Sequence, residues 1–291
     1  MKVGLQMYSV KGMIAENALA AFEKVAEMGY RYWEVCQLYG RDDVAFNYGL
    51  QMPPRNTIDL LERLKVKVVG SHLTIEQTQD AAYMDACLSY MQEIGSTAIG
   101  VSSCYYRKDD LDDVRAWCDH FNRLGKKTRR YGIRFYYHNH FQEFQHFGDR
   151  TVYDLLMEHT DPELVDFELD TYWALRGGQD PKALIQNYGR RICMLHQKDF
   201  PKNAPQPVNL YAFALNENDN LTRDSISGIV DPRTFTEVGT GIMDIQEIID
   251  AGNAAGIPYV ILEQDRTQLT EEVSIARSMM AFRRCQGVEW D

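Results

Sequence analysis

The 291-residue chain lacks any apolar run approaching the length of a membrane span, although 45% of its residues are hydrophobic. Its start, Met1-Lys2-Val3-Gly4-Leu5-Gln6, enters a strand pattern at once. The basic flank, apolar stretch and small-residue cleavage site of a secretory leader are missing. The six cysteines (Cys36, Cys87, Cys104, Cys118, Cys193 and Cys285) form no CxxC pair, and several lie in apolar patterns. They are expected to be reduced core thiols rather than a thiolate metal site, and the protein to be cytoplasmic. No Gly-rich phosphate loop of the P-loop or dinucleotide type follows the first strand. Positive charge is also in deficit. A formal charge of −11 leaves no basic face for nucleic acid or an anionic membrane, so neither is expected as a partner.

What the chain does contain is a recurring joint, in which a helical pattern ends, a Gly follows and a strand begins. It is seen around Gly29, Gly95, Gly132, Gly189 and Gly256. Gly after a helix takes the left-handed conformation cheaply, and such joints are what a βα array needs. Eight strands are predicted, near 3–8, 32–36, 67–73, 98–104, 134–140, 165–171, 192–198 and 259–264. Helical spacing is clearest over 15–28 and 111–130, and a last helix is expected near 270–284, after strand eight. This alternation predicts an α/β fold, a single (β/α)8 TIM barrel spanning residues 1–291 as one domain. Long βα loops are expected near 37–57 and 200–241. Both follow strand C-termini, where barrel active sites sit.

Polar residues gather at those strand ends. Strand three ends in Gly70-Ser71-His72, and strand five in Tyr137-His138-Asn139-His140 with Glu143 beyond. Strands six, seven and eight end in Glu168-Leu169-Asp170, His196-Gln197-Lys198-Asp199 and Glu263-Gln264-Asp265. Imidazoles and carboxylates from neighbouring strands can converge at one point, and such mixed N/O ligation suits Mn²⁺, Mg²⁺, Co²⁺ or Zn²⁺. A bound metal polarises a carbonyl or hydroxyl pair and stabilises an enediolate.

In these markers, together with Leu5-Gln6-Met7-Tyr8-Ser9 and Glu237-Val238-Gly239-Thr240-Gly241, the chain resembles the sugar isomerase/epimerase superfamily related to xylose isomerase. That group includes tagatose 3-epimerase-like and inositol-catabolism enzymes. The resemblance implies one divalent metal ion, Mn²⁺ first, held by a Glu, an Asp, a His and a Glu on strands five to eight. Asp170, His196 and Glu263 match the last three positions. The first departs from the pattern and carries His138, with His140 or Glu143 as alternative strand-five ligands. Epimerases of this kind resemble two-base machines, so the departure removes one carboxylate.

The leading expectation is therefore a divalent-metal-dependent isomerase or epimerase acting on a small, unphosphorylated sugar through an enediolate-type intermediate. The alternative is a metal-dependent lyase or dehydratase on a keto-polyol or 3-keto-glycoside. Catalytic roles are assigned to Glu263, Glu143, His140 and Lys198, and substrate binding to Tyr8, Glu34, His72 and Trp173. Each residue also has an ordinary reading, such as a Lys198–Asp199 rim ion pair or a His140 that merely holds a ligand carboxylate. Partners are expected to be a small-molecule carbohydrate and, since barrels of this family often pair or form tetramers, further copies of the chain. A DNA-repair endonuclease on the same barrel would need more than seven histidines and a basic groove. A non-catalytic sugar sensor would not need the intact ligand set.

Overall fold

The computed structural model describes residues 1–36, 49–50 and 52–290. Eight parallel strands close into a barrel in chain order, β8 pairing back onto β1. They are β1 (Lys2–Gln6), β2 (Tyr32–Cys36), β3 (Lys67–Leu73), β4 (Ala98–Ser102), β5 (Arg134–His138), β6 (Val165–Asp170), β7 (Ile192–Gln197) and β8 (Tyr259–Leu262). Every predicted strand is present. Several stop earlier than the sequence suggested, β5 at His138 rather than 140, which matters for Glu143 below.

The helices are α1 (Lys11–Glu27), α2 (Pro54–Leu64), α3 (Ile75–Gln79), α4 (Ala81–Glu93), α5 (Leu111–Arg129), α6 (Val152–His159), α7 (Thr171–Arg176), α8 (Pro181–Tyr188), α9 (Arg223–Ile226), α10 (Ile245–Ala255) and α11 (Glu271–Phe282). Helix α5 shows why they form. Asp110 caps it by accepting from Asp113 N, and Val114, Cys118, Phe121 and Leu124 recur at helical spacing on its buried face. Each such side chain, when fully buried, contributes about 1.5–3 kcal/mol. At Gly256 the helix–Gly–strand joint is as predicted, with φ at +76°. Gly189 differs. It is right-handed, and it is needed because a Cβ there would stand 2.6 Å from the Ala255 Cβ.

Apolar side chains between strands and helices form the main core. A smaller layer inside the barrel, including Val69, Tyr136, Met194 and Ile261, plugs its lower part. Above it the interior turns polar. The expected loop at 37–57 lies largely outside the described residues, and its last part opens α2. The long connection after β7 is irregular apart from α9 and a one-turn helix at Pro232–Thr234. It packs as a third apolar cluster in which Phe200, Leu210, Leu221 and Phe235 meet Phe141, Tyr172 and Trp173. All six cysteines are free. Among the described residues no helix is long and apolar enough to cross a membrane.

Candidate metal centre and cavity

Side chains two apart on a strand share a face, so Glu168 and Asp170 on β6 both point into the barrel. Register brings their partners alongside, with His138 opposite Glu168 and Asp170 opposite His196. Ligand atoms of His138, Asp170, His196 and Glu263 all lie within 4.8 Å of one another, and all four residues are buried. Two imidazoles and two carboxylates form a donor set that fits a divalent ion of the Mn²⁺–Zn²⁺ range. Asp170 is fixed in place. Its Oδ1 accepts from Trp173 N at 2.7 Å as the cap of α7, which leaves Oδ2 for a cation.

A second layer lies beneath. Glu34 Oε2 accepts from Gln6 Nε2 at 2.7 Å and stands 2.5 Å from His196 Nε2. Its Oε1 accepts from Tyr136, whose ring crosses the barrel because Gly70 and Gly100 leave room for it. A Cβ at Gly70 would stand 2.8 Å from the Tyr136 hydroxyl. Glu168 Oε2 lies 2.7 Å from His72 Nε2 and 3.0 Å from His138 Nδ1, and its Oε1 lies 3.0 Å from His196 Nε2.

The charges interlock. Lys198 donates to Asp170 and, at 2.5 Å, to Glu263, with Asp265 at 3.8 Å. Burial opposes the charge on Lys198, but Asp170, Asp265 and Glu263 outweigh it and hold the ammonium protonated. The same contest leaves His196 charged, because Glu168, Glu34 and Glu263 surround it. Burial, helped by His196 and His140, keeps His138 neutral. Burial likewise, with Lys198, pushes His140 down to about 3. Asp265 moves the other way, up to about 7, through burial offset in part by Lys198.

Above this stack opens a cavity of 630 Å³, within the usual range of about 300–1,000 Å³ for small-molecule sites. Tyr8, His72, His138, His140, Glu263 and Asp265 form its polar end, and Leu73, Ile75, Trp117, Trp173, Val230 and Phe235 its apolar walls. Several of those walls come from the long loop after β7, as its position in the sequence suggested.

The structure gathers most of the sequence candidates and relocates three. Tyr8, His72, His140 and Trp173 line the cavity, and the four ligand candidates form one cluster. Glu143 does not enter the cavity. Because β5 ends at His138, the chain turns and Glu143 falls behind the wall, accepting from Tyr137 at 2.5 Å and from His140 N at 2.7 Å. Neither a strand-five ligand nor a base is formed by it. Glu34 does not line the cavity either, and lies fully buried in the lower layer rather than against substrate. Lys198 is wholly enclosed below the floor, where it is a counter-ion to the ligand carboxylates. Asp199 does not pair with it and instead accepts four backbone N–H groups, from Phe200, Gly239, Gly241 and Met243. Sequence reasoning assigned no role to Glu168 or Asp265. Strand alternation from Asp170 and Glu263 would have pointed to both.

Comparison with known proteins agrees with this architecture. A family model described as "Xylose isomerase-like TIM barrel" matches residues 22–285. The chain is 28% identical to an inosose dehydratase of Clostridium beijerinckii over 166 residues, 55% of this chain and 50% of that one. It is 26% identical to inosose dehydratase 2 of Bacillus cereus over 261 residues, 81% and 74% of the two chains. The matches thus span about half the length of the first of these relatives. A solved sugar phosphate isomerase/epimerase from Parabacteroides distasonis superposes with a TM-score of 0.75 at 23% identity, covering 99% and 95% of the two chains, a likeness of fold.

Proposed function

The chain belongs to the xylose isomerase-like TIM-barrel family, and on that premise we propose that it is a divalent-metal-dependent lyase that eliminates water or an alcohol from a keto-polyol or keto-glycoside. One observation carries this reading. Of the four ligand candidates only His138 and Glu263 line the cavity, and among the described residues its other carboxylates are Asp265, which extends from the same strand end as Glu263, and Glu76, which is exposed on α3. A two-base epimerisation needs carboxylates on both faces of the substrate carbon. Here the far side carries the imidazoles of His138 and His140. The relatives named inosose dehydratase support an elimination.

In the proposed reaction the carboxylate of Glu263 or Asp265 removes the proton on the carbon beside the carbonyl. The C–O bond on the next carbon breaks, a C=C bond forms, and the leaving oxygen takes a proton from the carboxyl of Asp265, which with its pKa raised to about 7 can carry one. The neutral ring of His140 is held at the cavity wall, with Ser103 Oγ 3.3 Å from its Nδ1, where it meets a substrate hydroxyl. His138, Asp170, His196 and Glu263 would hold the metal, which when bound supplies Lewis acidity that acidifies the C–H beside the carbonyl. Trp173 and Phe235 give the cavity apolar walls against which the carbon face of the substrate would lie, and Tyr8 and His72 place hydrogen-bonding groups at its polar end.

The test is a panel of keto-inositols, keto-glycosides and ketoses incubated in D2O with Mn²⁺- or Zn²⁺-loaded protein and followed by NMR. Loss of water or aglycone, abolished in Asp170→Asn, supports the proposal. An isomeric sugar formed without elimination points instead to the isomerase reading, which shares the first proton abstraction.

A further inference from the structure

His138 and His196 belong to both layers, and they do so through opposite ring nitrogens. His138 turns Nδ1 down to Glu168 Oε2 at 3.0 Å, and its Nε2 is 4.0 Å from Asp170 Oδ2. His196 turns Nε2 down, 2.5 Å from Glu34 and 3.0 Å from Glu168, and Nδ1 up to Glu263 at 2.9 Å. A neutral imidazole has one lone pair and one N–H. It can ligate a cation in one layer only, and donates in the other.

The lower layer is spacious enough in ligand count to be a second metal site, since His72, His138, Glu168 and His196 also bring ligand atoms within 4.8 Å of one another. Hydrogen-bond accounting argues against that use. Tyr8 N and Cys36 Sγ both donate to Gln6 Oε1, so the Gln6 amide nitrogen faces Glu34 and, at 3.5 Å, His72 Nδ1. Neutral or charged, His72 then keeps its proton on Nε2, where Glu168 at 2.7 Å and Glu34 at 3.0 Å accept it. Three of the four lower carboxylate oxygens, both of Glu34 and Oε2 of Glu168, accept from a ring of N–H and O–H groups, and among the described residues only Glu168 Oε1 of the four is left without a hydrogen-bond partner. The backbone is shaped for the purpose. The register shifts of β2 and β6 fall immediately before Glu34 and Glu168, where such irregularities re-aim a side chain.

We propose that Glu168 and Glu34 are a pair of positioning residues: Glu168 accepts the downward Nδ1–H of His138 and Glu34 the downward Nε2–H of His196, and so together they fix the upward nitrogens, His138 Nε2 and His196 Nδ1, as the metal-binding atoms. This rests on the reading of the upper cluster as the metal centre. Carboxylates that orient ligating imidazoles in this way typically contribute 10–100-fold to metal affinity.

The experiment is done on the full chain without substrate, so that it is independent of which reaction the protein performs. In ¹⁵N-histidine-labelled, Zn²⁺-loaded protein, long-range ¹H–¹⁵N NMR reads which nitrogen of each ring carries the proton. Protons on His138 Nδ1 and His196 Nε2 are expected. Glu168→Gln presents an amide N–H to at least one of the two rings, and Zn²⁺ affinity measured against a chelator is expected to fall 10–100-fold, with one ion still bound at saturation. Zinc on the opposite nitrogens, an unchanged affinity, or two ions per chain with one lost in Glu168→Gln would overturn the proposal. Should the variant fold poorly, the tautomers of the unaltered chain decide the matter alone. Failure of the unaltered chain to bind any divalent ion removes the metal-centre reading itself, and this inference with it.

Discussion

The upper and lower layers of the barrel mouth are built from the same residue types and are suited to different work. The upper layer has carboxylates whose partners can be displaced. Asp170 Oδ2 and Glu263 meet Lys198, a compact point charge on an unbranched four-carbon stem. In the lower layer Glu34 and Glu168 meet imidazole and phenol groups on rigid strands and an amide fixed by the backbone. The contrast teaches that a buried cluster of His and Glu is not in itself a metal site. What separates a ligand from a support is how far its lone pairs are committed to protons on rigid neighbours, and of the lower carboxylate oxygens only Glu168 Oε1 is left uncommitted among the described residues.

The sharpest way to break this comparison is to remove one carboxylate from the upper layer. Glu263→Gln should cut turnover about 10²–10⁴-fold, the usual contribution of a positioned base, and weaken metal binding as well. A steady-state assay with metal titration reads both, and a normal rate would dismiss Glu263 from both roles. Next in size, Lys198→Met leaves Asp170 and Glu263 buried without their cation. The metal-free protein should lose about 3–5 kcal/mol in denaturant unfolding, and saturating Zn²⁺ should restore part of it. Equal loss with and without metal would separate Lys198 from the cation position.

Glu143 offers a control outside both layers. Burial raises its pKa from 4.5 to about 7, so the folded state holds this proton more tightly than the unfolded chain does. Its contribution is full below pH 4.5 and is lost as pH rises through about 7, amounting to about 3 kcal/mol. Unfolding free energies of Glu143→Gln and the unaltered chain should diverge in the variant's favour across that window, and parallel curves would refute the assignment. The smallest effect is expected at the cavity wall. Phe235→Ala should raise KM several-fold for a substrate with a bulky apolar aglycone and hardly at all for a keto-inositol, with kcat little changed.

The barrel was legible because each strand reads as a short β-rich run with a Gly joint before most of them, and the ligand candidates because they end those runs. Legibility stopped where periodicity stops. Beyond His138 the chain leaves the strand, and nothing in the order of residues 139–143 says that Glu143 passes behind the wall. The lower layer was hidden for a different reason. In the sequence Glu34 reads as a substrate-binding residue and Glu168 only as part of a polar strand end, and only their register against β1, β3, β5 and β7 shows that two buried carboxylates share three imidazoles.

Asp199 has a consequence for how such a protein can change. Its two oxygens hold Phe200 at the departure of the long connection and Gly239, Gly241 and Met243 at its return. A segment clamped at both ends by one carboxylate is a cassette. Residues 201–238 can lengthen, shorten or be exchanged between related chains while the strand ends beneath stay where they are. The segment supplies Arg223, Ile226, Val230 and Phe235 to the cavity. Selectivity for the outer part of a substrate can therefore drift without touching the residues that would carry out the reaction, and a lineage can acquire new substrates by editing one insert.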